Sequence, residues 1–461
     1  MDNTCGVIYG DAAEPRHRQP RWCTLRARPP QARRGARGPS HASRDAAHSG
    51  GTAIEANVVA TEAQVVPLNR NSSFLLLWVG QFVSQMGDRL AALAFPWLVY
   101  TTTGSALGTG AVFALYTLPY VLFGAFAGVA VDRLDKRRLM IAVDLVRAAL
   151  VLVVPFVAAR SLPAVFVLSF AISSASVFFD PAKLAILPEI VPPGRLLRAN
   201  SVLSTGENLT EILGWAFAGV LLAYVSTSVA FQLDAATFAV SAVALSFMRY
   251  RAPARAAAER SARAFWRELR EGFSFLRRDA GLRANTVMIL VCVAGLGASY
   301  PLTFLFAVNV LDGGAGAFGG LEAVVGAGYL AGSLVLVAFA PRVRKGPLMI
   351  AGLALMGACL ALVATTESVW VAAIPFAIFG MANAGALIAV DTYLQQVVPQ
   401  GMRGRVLGTR FTLTQGMYAL SVLAAGALAG FVDVRVLFIV AGALVAVSAL
   451  IGLLSREVRE S

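Results

Sequence analysis

Glu207 and Glu211 stand four residues apart in a largely apolar stretch, so a helix would place them on one face, with Asn208 three residues before Glu211. Two carboxyls so spaced disfavour double ionisation. One is expected to stay protonated, which suits proton exchange or a cation site; the competing reading is a structural pair between Glu207 and Arg410. Asp88 lies 14 residues into an earlier apolar run, about 21 Å along a helix at 1.5 Å per residue, near mid-membrane. Desolvation disfavours the charged form of any carboxyl at that depth, so Asp88 is a second proton-coupling candidate, unless it forms a static pair with Arg89 or with another helix. Asp144 and Arg147, three apart, read as a structural ion pair, with gating as the alternative. Asp391 and Arg410 fall near the ends of their runs and are expected to gate or to stabilise the fold. Glu322 reads as a surface-facing carboxylate near the outer end of its run.

These charges are notable because of what surrounds them. Of 461 residues, 57% are hydrophobic and 14% charged, and the mean hydropathy is +0.69. Apolar runs of about 20 residues, the length of one bilayer crossing, recur along the chain. Crossings are expected near 74–102, 106–131, 138–159, 162–188, 200–224 and 228–248, and then near 285–311, 318–340, 347–366, 369–395, 405–431 and 434–454. The fold class is therefore an all-α membrane protein with twelve transmembrane helices in two six-helix bundles. The expected organisation is a basic disordered tail over 1–70, a first bundle over 71–248, a cytoplasmic amphipathic linker over 249–283, a second bundle over 284–455 and a short tail over 456–461. The tail holds ten Arg and no Lys, with no periodic apolar pattern. It reads as an extension of, or a segment preceding, a working protein that begins near Asn57 to Asn69. In the linker, Phe265, Leu269, Phe273 and Leu276 recur at helical spacing among arginines, as in a helix lying on a lipid leaflet.

The net charge of +13 does not point to nucleic acid, because the basic residues are spread over the tail and the connecting loops. The loops after even-numbered spans hold 21 Lys and Arg, while the opposite loops hold only Arg160 and Arg435. By the positive-inside rule the even loops and both termini face the cytoplasm. The halves also echo each other: Leu187, Val191, Pro192 and Gly194 recur as Leu394, Val398, Pro399 and Gly401, and Ala218-Gly219 recurs as Ala425-Gly426, each 207 residues on. Parallel repeats of this kind build transporters.

Between the second and third spans runs Gly128-Val-Ala-Val-Asp132-Arg133-Leu-Asp135-Lys136-Arg137-Arg138. It resembles the cytoplasmic signature of the major facilitator superfamily, and Asp135, where that family usually has Gly, is similar to the branch of macrolide-efflux proteins and siderophore exporters. Leu77-Trp78-Val-Gly80-Gln81 through Gly87-Asp88 to Pro96-Trp97, Leu187-Pro188-Glu189 with Ala199-Asn200, and Asp234-Ala-Ala-Thr237-Phe238 carry the same resemblance, which covers roughly residues 70 to 455. It implies two halves rocking about a central cavity, with Gly128, Asp132, Arg133, Lys136, Arg137 and Arg138 as an inner gate. Gly124 and Gly128 would permit close helix approach, and Gly328/Gly332 and Gly426/Gly430 repeat that spacing. Two departures bear on the mechanism. Residues 162–180 lack the basic residue that proton-coupled members often carry, and Trp215 follows Gly214 where antiporters have Gly-Pro.

Gln81, Gln85, Tyr116, Tyr300, Asn383 and Gln415 are expected at cavity depth, a set suited to a bulky amphipathic ligand. No G-x-x-x-x-G-K-[ST], H-E-x-x-H or G-x-S-x-G constellation occurs, and His17, His41 and His48 all precede the first span. Cys5 and Cys23 fall in the tail and Cys292 and Cys359 in spans, with no C-x-x-C. No enzyme, metal or cofactor is expected. The expectation is a monomeric secondary transporter whose partners are the bilayer, a small-molecule substrate and protons. It would most readily act in efflux, with uptake of a nutrient on the same scaffold as the alternative and a non-transporting sensor as a remote one.

Overall fold

The computed structural model describes residues 68–158, 160–251, 262–339 and 344–460. All but the last three residues of the expected tail, part of the 249–283 linker and the turn around Arg342 lie outside the described residues. Those described form helices and connecting turns and no strand. The first bundle comprises α1 (Ser72–Thr103), α2 (Ala106–Arg133), α3 (Lys136–Ala158), the split span α4 (Leu162–Ser176) and α5 (Phe179–Ile190), α6 (Leu196–Tyr224) and α7 (Thr227–Phe247). After the connecting helix α8 (Ala262–Arg278) come α9 (Ala280–Asn309), α10 (Gly314–Phe339), α11 (Lys345–Val363), α12 (Val369–Val397), α13 (Arg403–Leu428), α14 (Val434–Leu454) and the short α15 (Arg456–Arg459). With α4 and α5 counted as one crossing, twelve helices span.

Local chemistry sets the ends. The Asn71 side chain accepts from the Phe74 amide to start α1, and Gly104, in the left-handed region at φ 65°, ends it. The fourth span breaks at Val177 and Phe178 because Pro181 lacks an N–H and its ring collides with the carbonyl of Val177. The repeat seen in sequence reappears in the boundaries. α4 and α12 start at 162 and 369, α6 and α13 at 196 and 403, and α7 and α14 at 227 and 434, each pair 207 apart. Packing follows the same symmetry: α1 on α7 matches α9 on α14, α3 on α7 matches α11 on α14, and α2 on α4 matches α10 on α12.

The bundles meet at two crossings related by that symmetry, α6 with α10 and α2 with α13. Each needs glycine. A Cβ added at Gly319 would stand 2.6 Å from the Gly219 Cα, and one added at Gly110 would stand 2.5 Å from the Gly426 Cα. Around the first crossing Trp215, Tyr300, Phe304 and Phe318 meet edge to face, with Phe113 joining from α2. The Tyr100 hydroxyl donates to Asn309 Oδ1 across the bundles at 2.5 Å. All of this lies at the end where α1 finishes. At the other end, the basic end carrying the α2/α3, α5/α6 and α12/α13 turns, Gly124 and Gly128 of α2 and Gly404, Gly408 and Gly416 of α13 have open space beside them. The close helix approach expected at Gly124 and Gly128 is therefore absent here. At Gly328 and Gly332 it is present, against Ala377 and Met381 of α12. Of the third such pair, Gly426 packs on Gly110, whereas Gly430 meets only its own turn.

Helix α8 lies along the basic end. Glu271 pairs with Arg405 at 2.7 Å, and the Thr409 hydroxyl donates to the Leu269 carbonyl at 3.2 Å, so α8 is fastened to α13. Leu276 is buried beneath it, while Phe273 stays exposed under the Arg277 guanidinium.

Candidate functional site

Because the bundles touch at one end only, a recess of about 760 Å³ opens between them toward the basic end. Gln81, Gln85, Asp88 and Arg89 line it from α1, Tyr116 and Tyr120 from α2, and Glu207, Asn208 and Glu211 from α6. The second bundle contributes Tyr329. Ten of the twelve crossings are long and apolar enough to span by composition alone, and the two that are not, α1 and α6, carry half of the polar residues in this wall. Their cost in lipid is avoided because their polar faces meet each other and water, with lipid kept to the outer helices.

Asp88, Asp144, Glu207, Glu211 and Asp391 each find a partner, and several partners differ from expectation. Asp88 pairs with Arg147 of α3, not with its neighbour Arg89. Arg147 also reaches Asp144 at 3.5 Å, and its guanidinium stacks 3.8 Å from the Phe238 ring centroid. Arg89 turns instead to Glu211 at 2.5 Å, and Trp215 Nε1 donates to the other Glu211 oxygen at 3.0 Å. Trp215, which stands where antiporters have proline, thus orients a carboxylate. Glu207 does not meet Arg410. It pairs with Lys183 of α5 at 2.8 Å, and Lys183 also bridges Asp180 at 3.0 Å, while Arg410 takes Asp391 at 3.1 Å. Both are pairs between sequence-adjacent spans of one bundle; with the basic end open, the other bundle stands too far off to compete. Asp391, Arg410 and Gln415 line a second recess of about 550 Å³ on the inner face of the second bundle.

Among the cavity candidates, Gln85 accepts from the Thr210 hydroxyl at 2.7 Å, which ties α1 to α6. Gln81 and Tyr116 face the main recess. Tyr300 sits instead in the aromatic layer of the closed end, and Asn383 lines neither recess.

The gate motif fastens the first bundle to itself. Lys136, almost fully buried, pairs with Glu189 of α5 at 3.1 Å, and Glu189 also accepts from the Tyr250 hydroxyl at 2.6 Å. Arg137 donates to the Leu245 carbonyl at 2.8 Å and to that of Ser246 at the end of α7. Asp135 accepts from the Arg138 amide at 2.9 Å, so the residue that replaces Gly caps α3. Arg133 and Arg138 are exposed, Gly128 faces open space, and the Asp132 side chain lies outside the described residues.

Three further groups lie in or beside the site. Lys183 lies three residues past the 162–180 stretch and supplies the fourth span with a buried basic residue after all; its signal is the Asp180-Pro181-Ala182-Lys183 run inside an apolar span. Asp234 is 1% exposed beside Thr237, with one carboxyl oxygen unbonded, on the α7 face that meets α1 at Gly87. Glu322, expected at the surface, is only 8% exposed. The stripe holding Gly319, Glu322 and Gly326 packs on α6, so Glu322 faces protein.

Comparison with known proteins agrees with this architecture. The sequence profile of the Major Facilitator Superfamily matches residues 77–422 and 317–461. The chain belongs to the Major Facilitator Superfamily. Similar members include the uncharacterized MFS-type transporter YfiS of Bacillus subtilis (strain 168), 29% identical over 406 residues, covering 86% of this chain and 96% of the relative. Macrolide efflux protein A of Streptococcus pyogenes is 26% identical over 409 residues, covering 85% and 98%. Among solved structures, the nucleoside transporter NupG (D323A mutant) superposes with a TM-score of 0.69 at 13% identity, covering 82% of this chain and 98% of NupG. That likeness concerns the fold alone. The chain is thus a multi-pass membrane transporter of this superfamily, similar in sequence to an efflux branch.

Proposed function

We propose that this transporter expels an amphipathic small molecule from the cytoplasm in exchange for protons, acting as a monomer with the basic end inward. The main observation in support is the recess itself: it is open at the end with the basic turns, closed at the other, and walled by paired carboxylates beside tyrosines. A cavity of about 300–1,000 Å³ suits a drug-sized ligand, and the recess volume falls in that range. The name of the macrolide efflux relative supports export of a bulky compound. In this reading the structure is the inward-open state. Asp88, Glu207 and Glu211 are held by Arg147, Lys183 and Arg89, and a proton arriving on a carboxyl frees its cation to repair elsewhere, which is how ion pairs move helices. Closure would bring the gate residues Gly128, Asp132 and Arg133 toward the second bundle.

The test uses purified protein in oriented vesicles with ethidium and a radiolabelled macrolide as probes. Wild type should accumulate probe against its gradient when a pH gradient is imposed, and the Asp88→Asn, Glu207→Gln, Glu211→Gln triple variant should not. Uphill accumulation by the triple variant would overturn the coupling assignment, and net flux only in the opposite orientation would favour uptake.

A further inference from the structure

Where α10 crosses α1 and α6, three charged groups from both bundles come together. Arg89 and Glu211 of the first bundle form the pair described above, roofed by Trp215, whose ring centroid lies 5.5 Å from the guanidinium. Glu322 comes from the second bundle. It follows Gly319, which abuts Trp215 and Gly219, by three residues, and precedes Gly326, which abuts Ile212, by four. Helical spacing therefore sets Glu322 at the level of Glu211 and Trp215, on the face of α10 that meets α6. The groups within electrostatic reach of it are Arg89 on α1, Glu211 on α6, Tyr300 on α9 and Tyr418 on α13. Among the described residues, no hydrogen bond or ion pair reaches its carboxyl.

One guanidinium can balance one of the two carboxylates. The other, in a water-poor interface, needs a proton or a cation to be tolerated. The two differ in access. Glu211 faces the recess, whereas Glu322 lies behind it, on the side of the closed crossing. We propose that Glu322 is the transporter's proton-loading site: it takes a proton from the far side when the α6/α10 crossing is open, and passes it to Glu211 once the crossing has closed. In that step the O–H bond on Glu322 breaks, one forms on Glu211, and the negative charge moves the other way. The proton then leaves Glu211 for the water of the recess when a cationic substrate such as ethidium takes its place beside the two carboxylates. This rests on the proton-exchange reading above but assigns a residue that reading does not use.

Two measurements test it. Infrared spectra of the purified transporter at neutral pH should contain a protonated-carboxyl C=O band that is lost in Glu322→Gln and shifted in Glu322→Asp. In vesicles, Glu322→Gln should lose pH-driven ethidium accumulation yet keep ethidium counterflow, while Glu322→Asp retains part of both. A band unchanged by Glu322→Gln, or a variant that accumulates ethidium like wild type, would overturn the assignment. A wild type that shows the Glu322-dependent band but no accumulation on a pH gradient would sink the exchange reading and leave the protonated site standing. Should Glu322→Gln fail to fold, the Glu322→Asp band shift carries the test alone.

Discussion

The closed end is held where α2 and α13 touch backbone to backbone, so adding one methyl there should tilt the whole conformational balance. In Gly110→Ala the new Cβ would stand 2.5 Å from the Gly426 Cα. Carbon atoms rest at about 3.5–4.0 Å, so the helices must separate by about 1 Å. Overpacking of that kind costs about 1–3 kcal/mol, which changes the ratio of the two end-states by about 5- to 150-fold. The cost falls on a contact between the bundles, so each bundle should keep its thermal stability. The assay places cysteines at Tyr100 and Asn309, whose side chains meet across this end, in a background without the four native cysteines. The rate of cross-linking by a short bismaleimide reports how much of the population is closed there. Gly110→Ala should slow it by that factor, and a cysteine at Ser176, in the wall of the recess, should become less reactive to an aqueous maleimide. Gly124→Ala on the same helix is the control. Its Cβ has open space, so cross-linking at the closed end should hold or rise. Equal rates in wild type and Gly110→Ala would refute the reasoning, as would a slower rate in Gly124→Ala.

Two predictions concern stability within a bundle. Arg147→Met leaves the fully buried Asp144 without its cation and strips Asp88, in the recess wall, of its partner; breaking a buried pair costs about 3–5 kcal/mol, so the detergent-solubilised variant should unfold at markedly lower temperature, and an unchanged Tm would count against the network. Gly332→Leu drives a side chain into α12, since even a Cβ there lies 2.5 Å from the Met381 carbonyl oxygen; because α10 and α12 share a bundle, Tm should drop while the cross-linking ratio between the two ends stays put.

Crossings were legible in the sequence because lipid imposes a length on each apolar run, and the inner repeat was legible because turn residues tolerate few replacements. Hence the Pro192 and Pro399 turns precede helices that start at 196 and 403, as the 207-residue echo requires. Pairings were less legible. A helix that is apolar nearly all round has no polar stripe to say which side faces protein, so rotation about its axis is set by neighbours. Asp88 and Arg89 are adjacent, about 100° apart on the helix, and so they take partners on different helices, Arg147 and Glu211. Glu322 was misplaced for the same reason, although the glycines at 319 and 326 mark its face as a packing face once their spacing is read with it.

The exchanged partners also have a mechanical consequence. On the first bundle's wall the cation Lys183 sits on the fourth span and the anion Glu207 on the fifth. On the second bundle's wall the order is reversed, with Asp391 on α12 and Arg410 on α13. In two bundles related by a two-fold axis, as the α6/α10 and α2/α13 crossings are, the fourth span of one faces the fifth of the other across the recess. Reversed polarity then sets like charges opposite each other, Lys183 before Arg410 and Glu207 before Asp391, so that neither wall can trade partners with the other without leaving charges unpaired. The ion pairs within each bundle keep those four charges neutral, and an approach of the two walls that preserved both pairs would cost less than one that exchanged them.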